Sequence, residues 1–126
     1  MKKILILLVI AVLLPMSSFA DKKDNATAGS RLILDKSTVN LTIAASPGVF
    51  QHYGDDGTVS PQWYVIGTVH QGGTRYYATS QNSTSVFYQD DTTGPVLITD
   101  LNGLTWPTGT ADTASETWWS NSGWTR

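Results

Sequence analysis

Residues 62–79, QWYVIGTVHQGGTRYYAT, set two runs rich in β-branched and aromatic residues on either side of a glycine pair. That pattern predicts a β-hairpin. Gly72-Gly73 is expected to supply the positive φ of a tight turn without a Cβ penalty. With a period of two, Trp63, Val65, Gly67 and Val69 share one face of the first arm, and Tyr64, Ile66, Thr68 and His70 the other. On the return arm Tyr76 and Ala78 oppose Arg75, Tyr77 and Thr79. Neither face of the first arm is plainly polar, so the hairpin is expected inside a sheet covered on both sides, at least in part.

The rest of the chain extends this reading. Arg31–Leu34 begins a strand and Asp35-Lys36-Ser37 turns. Thr38–Ala44 alternates, with Val39, Leu41 and Ile43 on one face, as a half-buried strand does. Ser46-Pro47-Gly48 is a turn in which Pro sets φ and Gly supplies the left-handed position. Val49–Tyr53, Val86–Tyr88 and Val96–Leu101 read as further strands. Leu104–Arg126 reads as irregular, with at most a turn or two of helix within Ala111–Trp119. Beyond residue 20 no segment carries a 3.6-residue period over about 11 residues. The expected fold is therefore mainly β: a single small domain with a twisted antiparallel sheet and no long N-terminal helix in the mature chain.

The first 20 residues stand apart. Lys2-Lys3 precede an unbroken apolar run, Ile4–Leu14, broken by Pro15, and Ser18-Phe19-Ala20 places small residues where a signal peptidase reads. This is a secretory signal peptide over 1–20, its apolar run about half the length of a membrane-spanning helix. Export to the periplasm and then to the cell surface is the expected route. The polar, aperiodic stretch 21–30 reads as a flexible N-terminal arm, and 31–126 as the β-rich globular domain. After cleavage, six basic residues face ten acidic ones, a net charge of −4. This argues against nucleic acid or an anionic membrane surface as partner. The chain has no cysteine, so a small exported domain must draw its stability from aromatic burial or from a partner.

Catalytic and metal-binding patterns are sparse. His52 and His70 lack an H-x-H spacing or thiolate partners, so no metal and no cofactor is expected. Tyr53–Thr58 carries two aspartates and two glycines, but not the alternation of a calcium loop. Glu116 is the only Glu, the aspartates cluster in turns, and no nucleophile elbow or phosphate loop is present. An enzyme is not expected. Asn25, Asn40 and Asn82 open N-x-T sequons, read as chance matches in a chain rich in Asn, Ser and Thr. What remains is a surplus of aromatics, including Trp106, Trp118, Trp119 and Trp124. Such residues serve cores, protein interfaces or carbohydrate-stacking surfaces.

Residues 46–88 resemble the globular half of type IVa pilins. The matching features are S-P-G-V at Ser46–Val49, the aromatic strand to Tyr53, the glycine-containing loop, and the strand Trp63–Thr68 ending in Val69-His70. The return G-G-T-R-Y-Y-A-T at Gly72–Thr79 and V-F-Y at Val86–Tyr88 complete the set. The long amphipathic N-terminal helix of that family is replaced here by a secretory leader. The combination resembles the separate globular chain of the split pilins of deltaproteobacterial metal reducers, in which a short helical pilin and a β-rich partner assemble together. The resemblance implies a structural subunit of an extracellular type IV pilus or pseudopilus-like filament. The chain would form a heterodimer with a short helical pilin chain and supply the solvent-facing layer. On that view the partner helix would cover the sheet at Trp63, Val65, Val69 and Tyr76. The alternative is a secreted β-sandwich module for carbohydrate binding or adhesion, stacking sugars on Trp118, Trp119 or Trp124.

Overall fold

The computed structural model describes residues 22–25, 27–36, 39–58, 60–91 and 96–126. The expected signal peptide lies outside the described residues. Among the described residues, seven strands form two antiparallel sheets. They are β1 (Lys22–Asp24), β2 (Leu32–Lys36), β3 (Val39–Ile43), β4 (Val49–Asp55), β5 (Tyr64–His70), β6 (Arg75–Ser80) and β7 (Phe87–Asp90). The main sheet runs β1-β4-β5-β6-β7, and β2-β3 is a separate hairpin. Three short helices follow: α1 (Ile98–Gly103), α2 (Thr110–Ala114) and α3 (Glu116–Asn121). The fold is mainly β, as expected. Among the described residues no helix is long and apolar enough to cross a membrane.

Register fixes what each face of the main sheet carries. His52, Gly67, Ala78 and Phe87 form one cross-strand row, and Phe50 pairs with Val69 on the same face. Gln51, Thr68, Tyr77 and Tyr88 form a row on the opposite face, beside Tyr53, Ile66 and Thr79. The first face is the main core. It joins Phe50, Trp63, Val65, Val69, Tyr76, Ala78 and Phe87 to Val96, Leu101, Trp106, Trp119 and Trp124 of the C-terminal segment. On the second face Leu32 and Leu34 of the hairpin pack with Tyr53, against half-buried Ile43, Tyr64 and Ile66. β4 lies between both layers, and its residues from Phe50 to Asp55 are all buried.

The C-terminal layer works because its indoles find both space and partners. Gly67 leaves a hole that Trp106 fills, since a Cβ there would lie 2.1 Å from Trp106 Cη2. Trp106 Nε1 donates to Leu101 O at 3.1 Å, and Trp124 Nε1 to Thr105 O at 3.2 Å. Phe87 and Trp119 stack at 4.4 Å, and Trp124 meets Trp119 edge-on at 5.5 Å. Ser115 caps α3, its Oγ accepting from Trp118 N at 3.1 Å. Ser115→Ala is expected to lower the stability of the domain by about 1 kcal/mol, read as a shift in the urea midpoint followed by tryptophan fluorescence.

Four expectations need correction. Val96–Leu101 is not a strand: Asp100 Oδ2 accepts from Leu97 N at 2.7 Å and winds the apolar run into α1, with Leu101 turned into the core. Leu104–Arg126 is not merely irregular: it holds α2 and α3, within the turn or two of helix expected, and its Trp106, Trp119 and Trp124 enter the main core. The arm expected to be flexible over 21–30 contains β1, paired with β4 through Lys22↔Gly54, Lys23↔Tyr53 and Asp24↔His52. Its polarity belongs to an edge strand, where charged side chains discourage further pairing. Finally, Gly72 and Gly73 are not among the positive-φ glycines, which among the described residues are Gly29, Gly48, Gly57 and Gly123. Gly73 N donates to His70 O at 2.7 Å instead, and a Cβ on Gly73 would lie 3.1 Å from that oxygen. Close approach, not φ, requires glycine there. The left-handed Gly48 matches expectation.

Candidate functional site: the open half of the second sheet face

Trp63, Val65, Val69 and Tyr76, expected to meet a partner helix, lie together on the first face and are all buried. The layer over them belongs to this chain: Leu101, Trp106, Trp119 and Trp124 occupy the place assigned to the missing helix. A partner could reach these four residues only by displacing that layer. The partner-helix assignment to this face therefore does not fit the fold. The physical reason is that the C-terminal segment, with short helices that have no readable period, lays Trp106, Trp119 and Trp124 over that face.

The second face is different. The hairpin covers Tyr53, Tyr64 and Ile66 and stops there. Beyond it Tyr77 is 46% exposed and Val86, just before β7, is 61% exposed. Thr68, Thr79 and Tyr88 are half-buried around them. Leu41 shares with Leu34 the hairpin face that packs onto the sheet, because the two are register partners. Yet Leu41 is 55% exposed, so the inner apolar face of the hairpin also extends past what it covers. Large exposed apolar groups next to one another mark interaction surfaces more often than isolated ones do.

Arg75 and Asp90 frame this open area. Arg75 Nε lies 2.6 Å from Asp90 Oδ1 and its second nitrogen 3.1 Å from Oδ2, a two-pronged pair, while the guanidinium carbon sits 4.2 Å over the Tyr88 ring. The hydrogen bond to Arg75 holds Asp90 below the usual carboxylate range, and the hydrogen bond to Asp90 raises Arg75. Both groups are exposed, so solvent screens the pair and it fixes geometry more than stability.

The other candidate chemistry resolves into structure. Asp56 accepts from Thr58 N, Thr58 Oγ1 and Gln62 N, and Asp55 accepts from Tyr53 Oη and Gly57 N. The calcium-like spelling is thus a loop folded on its own carboxylates. His70 is exposed, its Nδ1 accepting from Gly72 N at 3.1 Å. His52 is buried against Asp24 and Trp106. No group of three His, Cys, Asp or Glu able to hold a metal occurs among the described residues. Asn25 is buried, with its amide bonded to Ser30 O, Val49 O and Gln51 N, which closes that sequon to modification. Asn82 is exposed and donates to Thr113 Oγ1. Trp119 and Trp124 are core residues and Trp118 is half-buried, so the three do not form a sugar platform. A shallow cavity of about 240 Å³ beside them is lined by Phe87, Glu116, Ser120, Trp124, Thr125 and Arg126.

The alternation of Arg75, Tyr77 and Thr79 against Tyr76 and Ala78 is legible in the sequence, but which set stays open is not. That depends on the C-terminal layer choosing the Gly67 side. Comparison with protein-family models, curated proteins and solved structures found no match to this chain.

Proposed function

We propose that this chain is a non-enzymatic structural subunit of an extracellular type IV pilus-like filament. It is exported by its leader and docks on a short helical pilin chain, and the remainder of its surface forms the outer layer of the filament. The resemblance over residues 46–88 supplies the family. The observation that carries the docking is the open half of the second face, where Tyr77 and Val86 lie exposed. An amphipathic helix laid there would find an apolar strip of the kind a helix-in-groove contact uses. The partner layer is thus moved from the Trp63 side to the Tyr77 side.

The test is co-expression with a short helical prepilin encoded beside this chain. Tyr77→Asp and Val86→Asp are surface changes that leave the core intact, so each should fold normally. Each is expected to weaken recovery of the heterodimer at least about tenfold, because a charge would be desolvated in the contact. Unchanged recovery with both variants would remove the second face from the proposal. A chain that never associates with the helical pilin would remove the function itself.

A second reading has one observation in its favour. Tyr77 and Tyr88 are register partners next to the Arg75–Asp90 pair, and aromatic rings flanked by planar polar groups suit a saccharide. Saturable binding on a glycan array, lost in Tyr77→Ala, would support a secreted carbohydrate-binding module and count against the filament role.

A further inference from the structure

A second polar centre lies at the β1 edge of the main sheet. β1 brings no apolar residue to hold it there: its side chains are Lys22, Lys23 and Asp24. Besides its three register positions, two polar anchors secure it. Asn25 bonds to Val49 O at 2.9 Å and accepts from Gln51 N at 2.6 Å. Asp24 Oδ1 lies 2.6 Å from His52 Nδ1.

His52 is 1% exposed and stacked on Trp106 at 4.4 Å. With Asp24 ionised, Nδ1 carries the proton and donates it to the carboxylate, which leaves Nε2 a bare acceptor. That atom is buried and has no hydrogen-bond partner. Protonating it would bury a positive charge beside Trp106, with the neutral Asn102 amide as a weak polar contact and no acceptor in full hydrogen-bond geometry. Something must open to hydrate it. Trp106 is wedged into Gly67 and bonded to Leu101 O, and β5 is a central strand. Among the described residues around the ring, β1 has no place in either apolar core.

We propose that the Asp24–His52 contact is a pH-released latch: mild acid frees β1 from the edge of the sheet while the other strands stay paired. The charged groups facing His52 both come from β1, namely Asp24 and Lys22; α1 adds the neutral Asn102 amide, and β5 and Trp106 add no charge. Burial lowers the pKa of His52 below its ordinary value. The hydrogen bond and charge of Asp24 oppose this without reversing it, Lys22 adds to the lowering, and Asn102 opposes it slightly. With β1 released, the ring is hydrated and titrates near its ordinary value of about 6.5. Opening therefore takes up a proton between the lowered value and about 6.5. The open fraction rises as pH falls through that window, by at most about tenfold per pH unit, and levels off below it. The latch does not depend on what the open face of the sheet binds.

Amide hydrogen exchange on the exported protein tests this, with rates corrected for intrinsic pH dependence and compared at about pH 7.5 and about pH 5.5, either side of the ordinary histidine value. The expected result is a several-fold loss of protection confined to residues 23–25 and to the β4 amides that face β1, Gln51 among them, with β5 and β6 unchanged. His52→Gln and His52→Phe do not titrate, and each is expected to abolish the pH dependence. Protection at 23–25 that ignores pH would overturn the latch. So would loss that runs in step with β5 and β6, or a pH dependence that survives in either variant. The wild-type comparison decides alone if a variant fails to fold.

Discussion

Trp119→Ala is expected to cost about 3–5 kcal/mol, a large share of the roughly 5–15 kcal/mol that holds a domain of this kind together. Trp119 is 0% exposed and stands at the centre of the aromatic layer, stacked on Phe87 and edge-on to Trp118 and Trp124. Truncation would leave a cavity that its neighbours cannot fill, because Phe87 belongs to β7 and Trp124 is tied to Thr105 O. The indole nitrogen of Trp119 has no hydrogen-bond partner, so its polar atom adds nothing to stability. Trp119→Phe should therefore cost far less than Trp119→Ala, since it keeps a ring against Phe87 and removes the unpartnered donor. Urea unfolding of the three proteins reads the difference. Equal losses for Ala and Phe would mean that the nitrogen, not the ring, secures the layer.

Gly67→Ala should be nearly as damaging, though it adds only one methyl group. That methyl would fall 2.1 Å from Trp106 Cη2 and within 3.0 Å of two further ring carbons. Trp106 cannot step back, because His52 stacks on it at 4.4 Å and Trp124 packs against it at 5.2 Å. Overpacking of this severity is expected to cost about 3 kcal/mol, the upper end of what added methyl groups do in packed cores. The interpretation is specific enough for a double-mutant cycle. Trp106→Leu is destabilising by itself, but it removes the clash, so Gly67→Ala in that background should cost much less. Additive losses would show that Gly67 is needed for a reason other than housing the indole.

The two predictions concern one event, the seating of the C-terminal segment on the Gly67 face, and that event is what the sequence conceals. The hairpin Tyr64–His70 with Arg75–Ser80 was plain, because a period of two with β-branched and aromatic residues has few other readings. The strands at Val39–Ile43 and Val49–Asp55 followed for the same reason. The segment 96–126 has no period to read. Its helices are five or six residues long, too short to show amphipathicity, and they are held by tertiary packing rather than propensity. The short apolar run at Val96–Leu101 is ambiguous between strand and helix until Asp100 turns back on Leu97 N. β1 was missed for the opposite reason: its partners are backbone groups, and an edge strand made of Lys-Lys-Asp has no hydrophobic signature.

The site shifted with that segment. Once Trp106, Trp119 and Trp124 are known to cover Val65 and Val69, the remaining half of the hairpin acquires the role first assigned to the covered one. Tyr77 had always alternated away from Tyr76. Only the choice of face by the tryptophans decides that Tyr77 is left outside.

Hydroxyl-radical footprinting of residues 21–126, alone and with the proposed helical pilin partner, tests the proposed docking most directly. Tyr77 and Val86 should be labelled in the free chain and protected in the heterodimer, while Trp106 and Trp119 remain unlabelled in both. Labelling of Tyr77 that does not change on assembly, with new labelling at Trp106 and Trp119, would contradict the account. It would mean that the partner displaces the aromatic layer and takes the Val65 face.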